Sequence, residues 1–128
     1  MTIGEQLKAK CGYRLLKRHP KALNTILEHW NNIIDQQFKT QFIIMCYSSP
    51  KQVLGSFVTF DKSVNPFIFV NSYLITKLHK SYKQNLNSLI GKTVLHEVGH
   101  YYQALKHKPL SEPGADMFSS KYFKKLSK

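Results

Sequence analysis

Two histidines four residues apart, with a glutamate directly after the first, form the pattern in this sequence best suited to chemistry. His96, Glu97 and His100 lie in the run TVLHEVGH at 93–100. On an α-helix, residues four apart share a face, with Cβ atoms about 6 Å apart, so both imidazoles can reach one ion. Zinc binds histidine nitrogen at about 2.0–2.1 Å and prefers four ligands. Glu97 lies about 100° further round the helix, where it can take a proton from metal-activated water. The pattern predicts one Zn²⁺ per chain, bound by His96 and His100, with Glu97 as catalytic base.

The alternative interpretation is an ordinary surface helix that carries these residues without a metal. The neighbouring sequence favours the metal site, because an apolar stripe predicts that the segment from about Leu89 to Lys106 is a helix packed on a core. The stripe consists of Ile90, Val94, Leu95, Val98, Tyr102 and Leu105. Gly99 costs a helix about 1 kcal/mol relative to alanine. We therefore expect another backbone, or substrate, to approach closely at Gly99.

A catalytic zinc site needs a third protein ligand and an open position for water. His107 cannot supply it from an unbroken helix, because it would lie roughly 10 Å beyond His100 along the axis. Glu112 follows a proline turn, so the chain can fold back there and bring a carboxylate to the metal. Asp116, one turn deeper, can accept a hydrogen bond from the outer nitrogen of a histidine. We expect Glu112 as ligand and Asp116 behind a histidine. The alternatives are Asp116 as ligand, or Glu112 as a first-turn acid facing the helix dipole.

The elements around this pattern predict an α+β domain that spans residues 1–128. In chain order they are helices over Ile3–Arg18 and Pro20–Gln37, strands over Thr40–Tyr47, Val53–Phe60 and Phe67–Val70, and helices over Ser72–Ser88, Leu89–Lys106 and onward from Ser111. The first two strands are expected to form a hairpin across a Ser-Ser-Pro-Lys turn. Ser111 is the expected N-cap of the last helix.

Composition limits the possible partners and the compartment. The net charge is +12, mostly from lysine, which favours acidic partners such as nucleic acid. Because the lysines are spread along the chain, we expect nucleic-acid binding to be secondary. The longest apolar run, Phe42–Tyr47, is shorter than the about 20 residues of a membrane helix, and the first residues lack a secretory signal. Cys11 and Cys46 form no disulfide scaffold, so we expect a cytoplasmic protein with reduced thiols and no membrane contact.

Three segments, taken in order, resemble a known family of zinc peptidases. They are Val70-Asn71, the run at 93–100, and Glu112-x-x-Ala115-Asp116-x-Phe118. Together they resemble the ImmA/IrrE family and, more widely, the gluzincin metallopeptidases, in which the third ligand is a glutamate. The chain is also similar to the minigluzincins, which are single small domains of about this length. The resemblance implies a zincin-like minimal metallopeptidase fold: a small, twisted, mostly antiparallel three-stranded sheet, a backing helix and the HExxH active-site helix.

The resemblance also implies an activity, zinc-dependent endopeptidase hydrolysis of peptide bonds, with Glu97 as general base. It places an edge strand beside the cleft, where Phe67, Phe69 and Asn71 would bind substrate. An extended polypeptide could add to that edge through main-chain hydrogen bonds. The expected partner is a polypeptide substrate, and a regulatory protein is one candidate. The alternative function is a basic nucleic-acid- or protein-binding regulator that binds zinc without turnover, which would have no need of Glu97 at its position.

Overall fold

The computed structural model describes residues 14–59, 65–106 and 108–127. Its elements, in chain order, are strand β1 (Arg14–Leu15), helix α1 (Lys21–Phe38), strands β2 (Ile43–Ser48), β3 (Gly55–Val58) and β4 (Phe67–Asn71), and helices α2 (Ser72–Tyr82), α3 (Leu86–Leu105) and α4 (Glu112–Leu126). The α+β class is confirmed. Most of the expected helix over Ile3–Arg18 lies outside the described residues, and its described end is the short strand β1. None of the described helices is long and apolar enough to cross a membrane.

The sheet is mixed and has the order β1-β2-β4-β3. β4 pairs in parallel with β2 and antiparallel with β3, while β1 pairs antiparallel with β2. The predicted hairpin is therefore wrong, because β2 and β3 lie on opposite sides of β4. The expected edge position of Phe67–Asn71 is also wrong. All five residues of β4 are buried, as its continuous apolar sequence requires of an interior strand.

Helix α1 forms the backing layer of the fold. Its amphipathic pattern buries Leu23, Leu27, Trp30 and Ile34 to 1% exposure or less. These side chains join one core with the sheet residues Ile44, Cys46, Ile68 and Val70 and with the apolar face of α3. The predicted boundaries of this helix, Pro20–Gln37, differ by one residue at each end from the structure.

Helices α2 and α3 are separated by a short break that the sequence pattern did not reveal. Lys83 adopts a left-handed conformation with φ 54°, which ends α2. The Asn85 side chain then accepts a hydrogen bond from Ser88 N at 3.0 Å and caps α3. Asparagine is a favoured N-cap because its side-chain oxygen satisfies a free amide of the first turn. Helix α3 consequently starts three residues earlier than expected.

Trp30 fixes the distance between α1 and α3. Its ring stacks on Phe123 of α4 with centroids 5.5 Å apart, and its Nε1 donates to Asn87 Oδ1 at 2.8 Å. The ring lies directly over Gly91 of α3, so that a Cβ at this position would overlap it and lie 2.9 Å from Phe123 Cε2. Gly91 is therefore a contact site between helices, which offsets the low helix propensity of glycine.

We expect Gly91→Ala to destabilise the protein by about 1–3 kcal/mol, because a fully buried indole cannot move aside for the added methyl group. Denaturant unfolding followed by circular dichroism would measure the change. Gly99→Ala is the comparison variant and should cost less, since its Cβ would lie 3.2 Å from the partly exposed Phe118 and would not overlap it. Equal stability of Gly91→Ala and wild type would contradict the packing described for Trp30.

Candidate metal centre

Helix α3 orients the histidine pair by burying its opposite face. Ile90, Val94, Leu95 and Val98 are completely buried in the core shared with α1 and the sheet. Residues at these spacings occupy one side of a helix. His96 and His100 therefore project together on the other side, with ring centroids 4.7 Å apart. This geometry agrees with the spacing argument from the sequence.

Glu112, the first residue of α4, brings its carboxylate to both histidines. Its Oε2 lies 3.0 Å from His96 Nε2, and its Oε1 lies 2.9 Å from His100 Nε2. The three residues offer ligand atoms that all lie within 4.8 Å of one another. Two ligands on a tetrahedral zinc ion are separated by about 3.3 Å, given metal–ligand distances near 2.0–2.1 Å. The side chains of His96, His100 and Glu112 therefore fit a zinc ion by both chemistry and spacing.

The second ring nitrogen of each histidine is held by a neighbour. His96 Nδ1 lies 2.8 Å from Asp116 Oδ1, and His100 Nδ1 lies 3.0 Å from Gln103 Oε1. With a metal at Nε2, an acceptor at Nδ1 would take the remaining ring proton and fix the orientation of the ring. Glu112 contacts both Nε2 atoms and Asp116 contacts one Nδ1 atom. The geometry thus favours Glu112 over Asp116 as the third ligand.

Gln103 is a residue of the candidate site that the sequence argument did not identify. Besides facing His100, its Oε1 accepts a hydrogen bond from Ser111 N at 3.1 Å, and its Nε2 donates to Ser111 O at 3.2 Å. Gln103 therefore holds the ring of one ligand and the backbone just before Glu112 at the same time. Its spacing could have identified it, because a residue three positions after His100 lies on the same face of the helix.

The link between α3 and α4 is short, with only eleven residues between His100 and Glu112. Lys108 N donates to Gln103 O at 2.9 Å and closes a turn beyond the end of α3. The Ser111 side chain then accepts from Gly114 N at 3.2 Å, which confirms Ser111 as the N-cap of α4. These bonds and those of Gln103 explain how so short a link returns a carboxylate to the histidines. His107 lies outside the described residues.

Glu97 lies at the floor of the site and is only 5% exposed. Burial, and to a lesser degree the charge of Glu112, raises the pKa of the Glu97 carboxyl to about 8. Removal from water disfavours the charged form of an acid, whereas a nearby divalent cation favours it. A carboxyl balanced in this way between protonated and ionised forms is suited to exchanging protons near neutral pH.

The histidines face a groove of about 1020 Å³ that runs between β3, α3 and α4. One wall is β3, whose Phe57 ring stacks near His100 with centroids 6.2 Å apart. Gly55 lets this strand lie close to α3, because a Cβ there would be 2.9 Å from Thr93 Cγ2 and 3.4 Å from Glu97 Cγ. Among the described strands β3 pairs only with β4, so its other side is an open sheet edge along the groove.

The structure does not bring Phe67, Phe69 and Asn71 to this groove. Phe67 and Phe69 pack with Tyr47 in a separate apolar cluster, and Asn71 is completely buried. The physical reason is the interior position of β4, which is covered on both sides by neighbouring strands. The groove-lining strand residues are instead Gly55, Ser56 and Phe57.

Asn71 has a different task, because its side chain holds the loop that leads into β3. Its Nδ2 donates to Ser49 O at 3.0 Å and to Val53 O at 2.9 Å. Its Oδ1 accepts from Ser49 N at 3.2 Å and from Leu74 N at 3.4 Å, the latter as N-cap of α2. A buried amide that satisfies several backbone groups fixes their conformation. Asn71 thus positions the groove wall without touching the groove.

Comparisons of this chain with protein-family models, with curated proteins and with solved structures find no significant match. The resemblance to gluzincins therefore depends on the residues quoted from the sequence. The geometry brings together His96, His100 and Glu112 from two helices around one point, as a shared metal ion would require.

We expect Gln103→Ala to weaken metal binding about 10–100-fold, as the loss of a residue that orients a metal ligand typically does. Competition titration of the protein with Co²⁺ and Zn²⁺ would give the affinities, and the Co²⁺ absorption spectrum would report ligand geometry. Ser111→Ala is the matched control, because it removes the cap of α4 but keeps the backbone groups that bind Gln103. If both variants lose affinity equally, Gln103 acts only through the link and not through His100.

Proposed function

We propose that this protein is a zinc-dependent endopeptidase. The observation that carries the proposal is the convergence of His96, His100 and Glu112 beside a buried Glu97, at the side of a groove with an open sheet edge. Each component has a role in the hydrolysis of an extended polypeptide. The proposed setting is the cytoplasm, with which the buried free thiol of Cys46 is consistent.

The metal ligands would be His96, His100 and Glu112, with one ion per chain. When bound, zinc would supply a Lewis acid that polarises the scissile carbonyl and makes water a stronger nucleophile at neutral pH. Asp116 and Gln103 keep the two imidazoles in the tautomer and orientation that a metal requires. The exposed carboxylate of Glu112 faces the groove, so the ion can enter from solvent.

Glu97 would carry the protons of the reaction. Its carboxylate accepts a proton from the attacking water and then delivers it to the nitrogen of the leaving amine. Its burial beside the histidines keeps bulk water away from this exchange. Burial raises the pKa of the Glu97 carboxyl and a bound cation would lower it, which suits a group that must both take and give a proton.

The substrate would bind along β3 in place of the β4 edge expected from the sequence. An extended peptide can add to an open strand edge through main-chain hydrogen bonds, which are independent of side-chain identity. Phe57 and Leu110 offer apolar contacts near the histidines, while Ser88, Lys92 and Ser120 make the remoter lining polar. This arrangement favours unfolded or loop segments of proteins over folded surfaces.

The alternative function is a basic regulator that binds zinc, and either nucleic acid or protein, without turnover. Its supporting observation is the net charge of +12. It does not account for the placement of Glu97, because burial of a carboxyl costs free energy of folding and a site that only binds zinc has no need of a proton acceptor there. A role as general base explains why the Glu97 carboxyl is buried beside the histidines.

We expect purified protein to hold about one zinc per chain, measured by elemental analysis. His100→Ala should abolish tight binding, because two ligands rarely hold zinc. Glu112→Ala should weaken binding severely, and Asp116→Ala should cost about 10–100-fold. Loss of metal in Asp116→Ala but not in Glu112→Ala would reverse their assigned roles. Zinc content below about 0.2 per chain, without uptake on titration, would exclude a zinc site.

We expect Glu97→Gln to reduce peptide hydrolysis about 10²–10⁴-fold, because the amide keeps the shape of the side chain but cannot accept a proton. Cleavage of an unstructured protein such as casein would be followed for wild type and variant at equal zinc content. Glu28→Gln on the exposed side of α1 removes one carboxylate remote from the groove and serves as control. Undiminished cleavage by Glu97→Gln would refute the proposed mechanism.

A further inference from the structure

A second surface, rich in lysine and arginine, lies at the β1 side of the sheet, away from the histidine groove. Two cavities flank Leu16 there, one of about 740 Å³ beside the start of α1 and one of about 500 Å³ beside α2, and Leu16 lines both. The two cavities adjoin at Leu16 and are together called the β1 surface here. Its exposed basic and aromatic members are Lys17, Arg18, Lys21, Tyr73, Lys77 and Lys80.

Among the described residues, the positive charges of the β1 surface have no partner in an ion pair. None of the described residues that line the two cavities is an aspartate or a glutamate. Within the described part of the chain, every ion pair joins a histidine to Glu112 or Asp116 in the metal centre. Helix α1 adds to the positive potential, because it has no acidic residue in its first turn to offset its free amides. Such a concentration of unpaired cations is suited to binding phosphates.

Helix α2 gives the β1 surface an aromatic component as well. Tyr73 is 48% exposed, and Lys77 and Lys80 follow at spacings that place all three on one side of the helix. An exposed aromatic ring offers a platform on which a nucleic-acid base can stack, while neighbouring lysines bind the backbone. The surface is concave at two places, which fits a flexible chain better than it fits a flat membrane.

We propose that the β1 surface binds single-stranded nucleic acid, with phosphates on Lys17, Arg18, Lys21, Lys77 and Lys80 and a base stacked on Tyr73. The proposed interaction is mainly electrostatic and independent of base sequence, because contacts between lysine and phosphate carry no sequence information. It is separate from the metal centre: the sheet order places β1 and β3 at opposite edges. Binding is therefore expected with and without zinc.

The test is fluorescence anisotropy of a short labelled oligothymidylate, titrated with full-length protein at several salt concentrations. Wild type should bind saturably at about 50 mM salt and lose affinity steeply towards 200 mM. Lys77→Gln/Lys80→Gln should reduce affinity at least about tenfold and make the log–log salt slope shallower by about 1.4, since each phosphate contact on a single strand contributes about 0.7. Tyr73→Ala should reduce affinity about fivefold or more without changing the slope.

The matched control is Lys121→Gln/Lys124→Gln, which removes the same charge at the same spacing from exposed positions of α4, outside both cavities. The control should keep wild-type affinity within about twofold, and circular dichroism should show all variants folded. Equal loss in both pairs would mean that net charge alone attracts the oligonucleotide. Absence of saturable binding at low salt, or tighter binding to vesicles containing phosphatidylserine with the same sensitivity to Lys77 and Lys80, would also overturn the proposal.

Discussion

Helix α3 has to satisfy two environments at once, and the rest of the structure depends on how it does so. One face is fully buried against α1 and the sheet, while the other carries two imidazoles and a carboxyl. Apolar burial at about 25 cal/mol per Å² is the force that holds this helix, so the core determines the rotation of the helix about its axis. That rotation in turn decides where His96, Glu97 and His100 point. Gly91 beneath Trp30 fixes the same orientation by contact.

The candidate metal centre needs a second element, α4, which packs on the core through Phe118, Tyr122 and Phe123 and is aligned at its start by a few hydrogen bonds. Helix α4 contributes Glu112 and Asp116 from its first two turns, and both carboxylates are largely exposed. Their placement follows from Ser111 at the N-cap, Gln103 across the link, and Phe118 against Gly99. The Ser119 hydroxyl, which donates to Lys92 O at 2.8 Å, ties the next turn to α3. The histidines are thus held by the packing of α3 on the core, and the two carboxylates by the hydrogen bonds at the start of α4.

The sequence predicted best those parts that depend on local periodicity. The α1 stripe, the histidine pair and the Ser111 cap are all consequences of helix geometry, and the α+β order follows from them. The approach of Glu112 to the histidines was accessible because a proline turn limits where the next helix can go. That prediction required only that the turn reverse the direction of the chain.

Strand neighbours, by contrast, are set by contacts between distant residues, and here the expectations from sequence were wrong. The loop after Ser48 resembles a hairpin turn. However, the Asn71 side chain donates hydrogen bonds to the carbonyls of Ser49 and Val53 in this loop, and the chain crosses to the other side of β4 before β3 begins. The apolar run Phe67–Val70 is compatible with either an edge or an interior strand, and only its burial on both faces decides between them. Gln103 was missed for a similar reason: its importance comes from Ser111, eight residues away.

The crossed order of the sheet has a consequence for how the protein assembles. β3 and β4 follow each other in the chain and pair antiparallel, with Val58 opposite Phe67, so they can pair locally as a hairpin. The parallel pair of β2 and β4 instead joins distant segments, with Ile43 opposite Phe67. Contacts between distant segments slow folding because the intervening loop must be closed before they are made. We therefore expect the β3–β4 hairpin to form first and to dock beside β2 as a unit, so that the strand along which a substrate would lie is already paired when the sheet is completed.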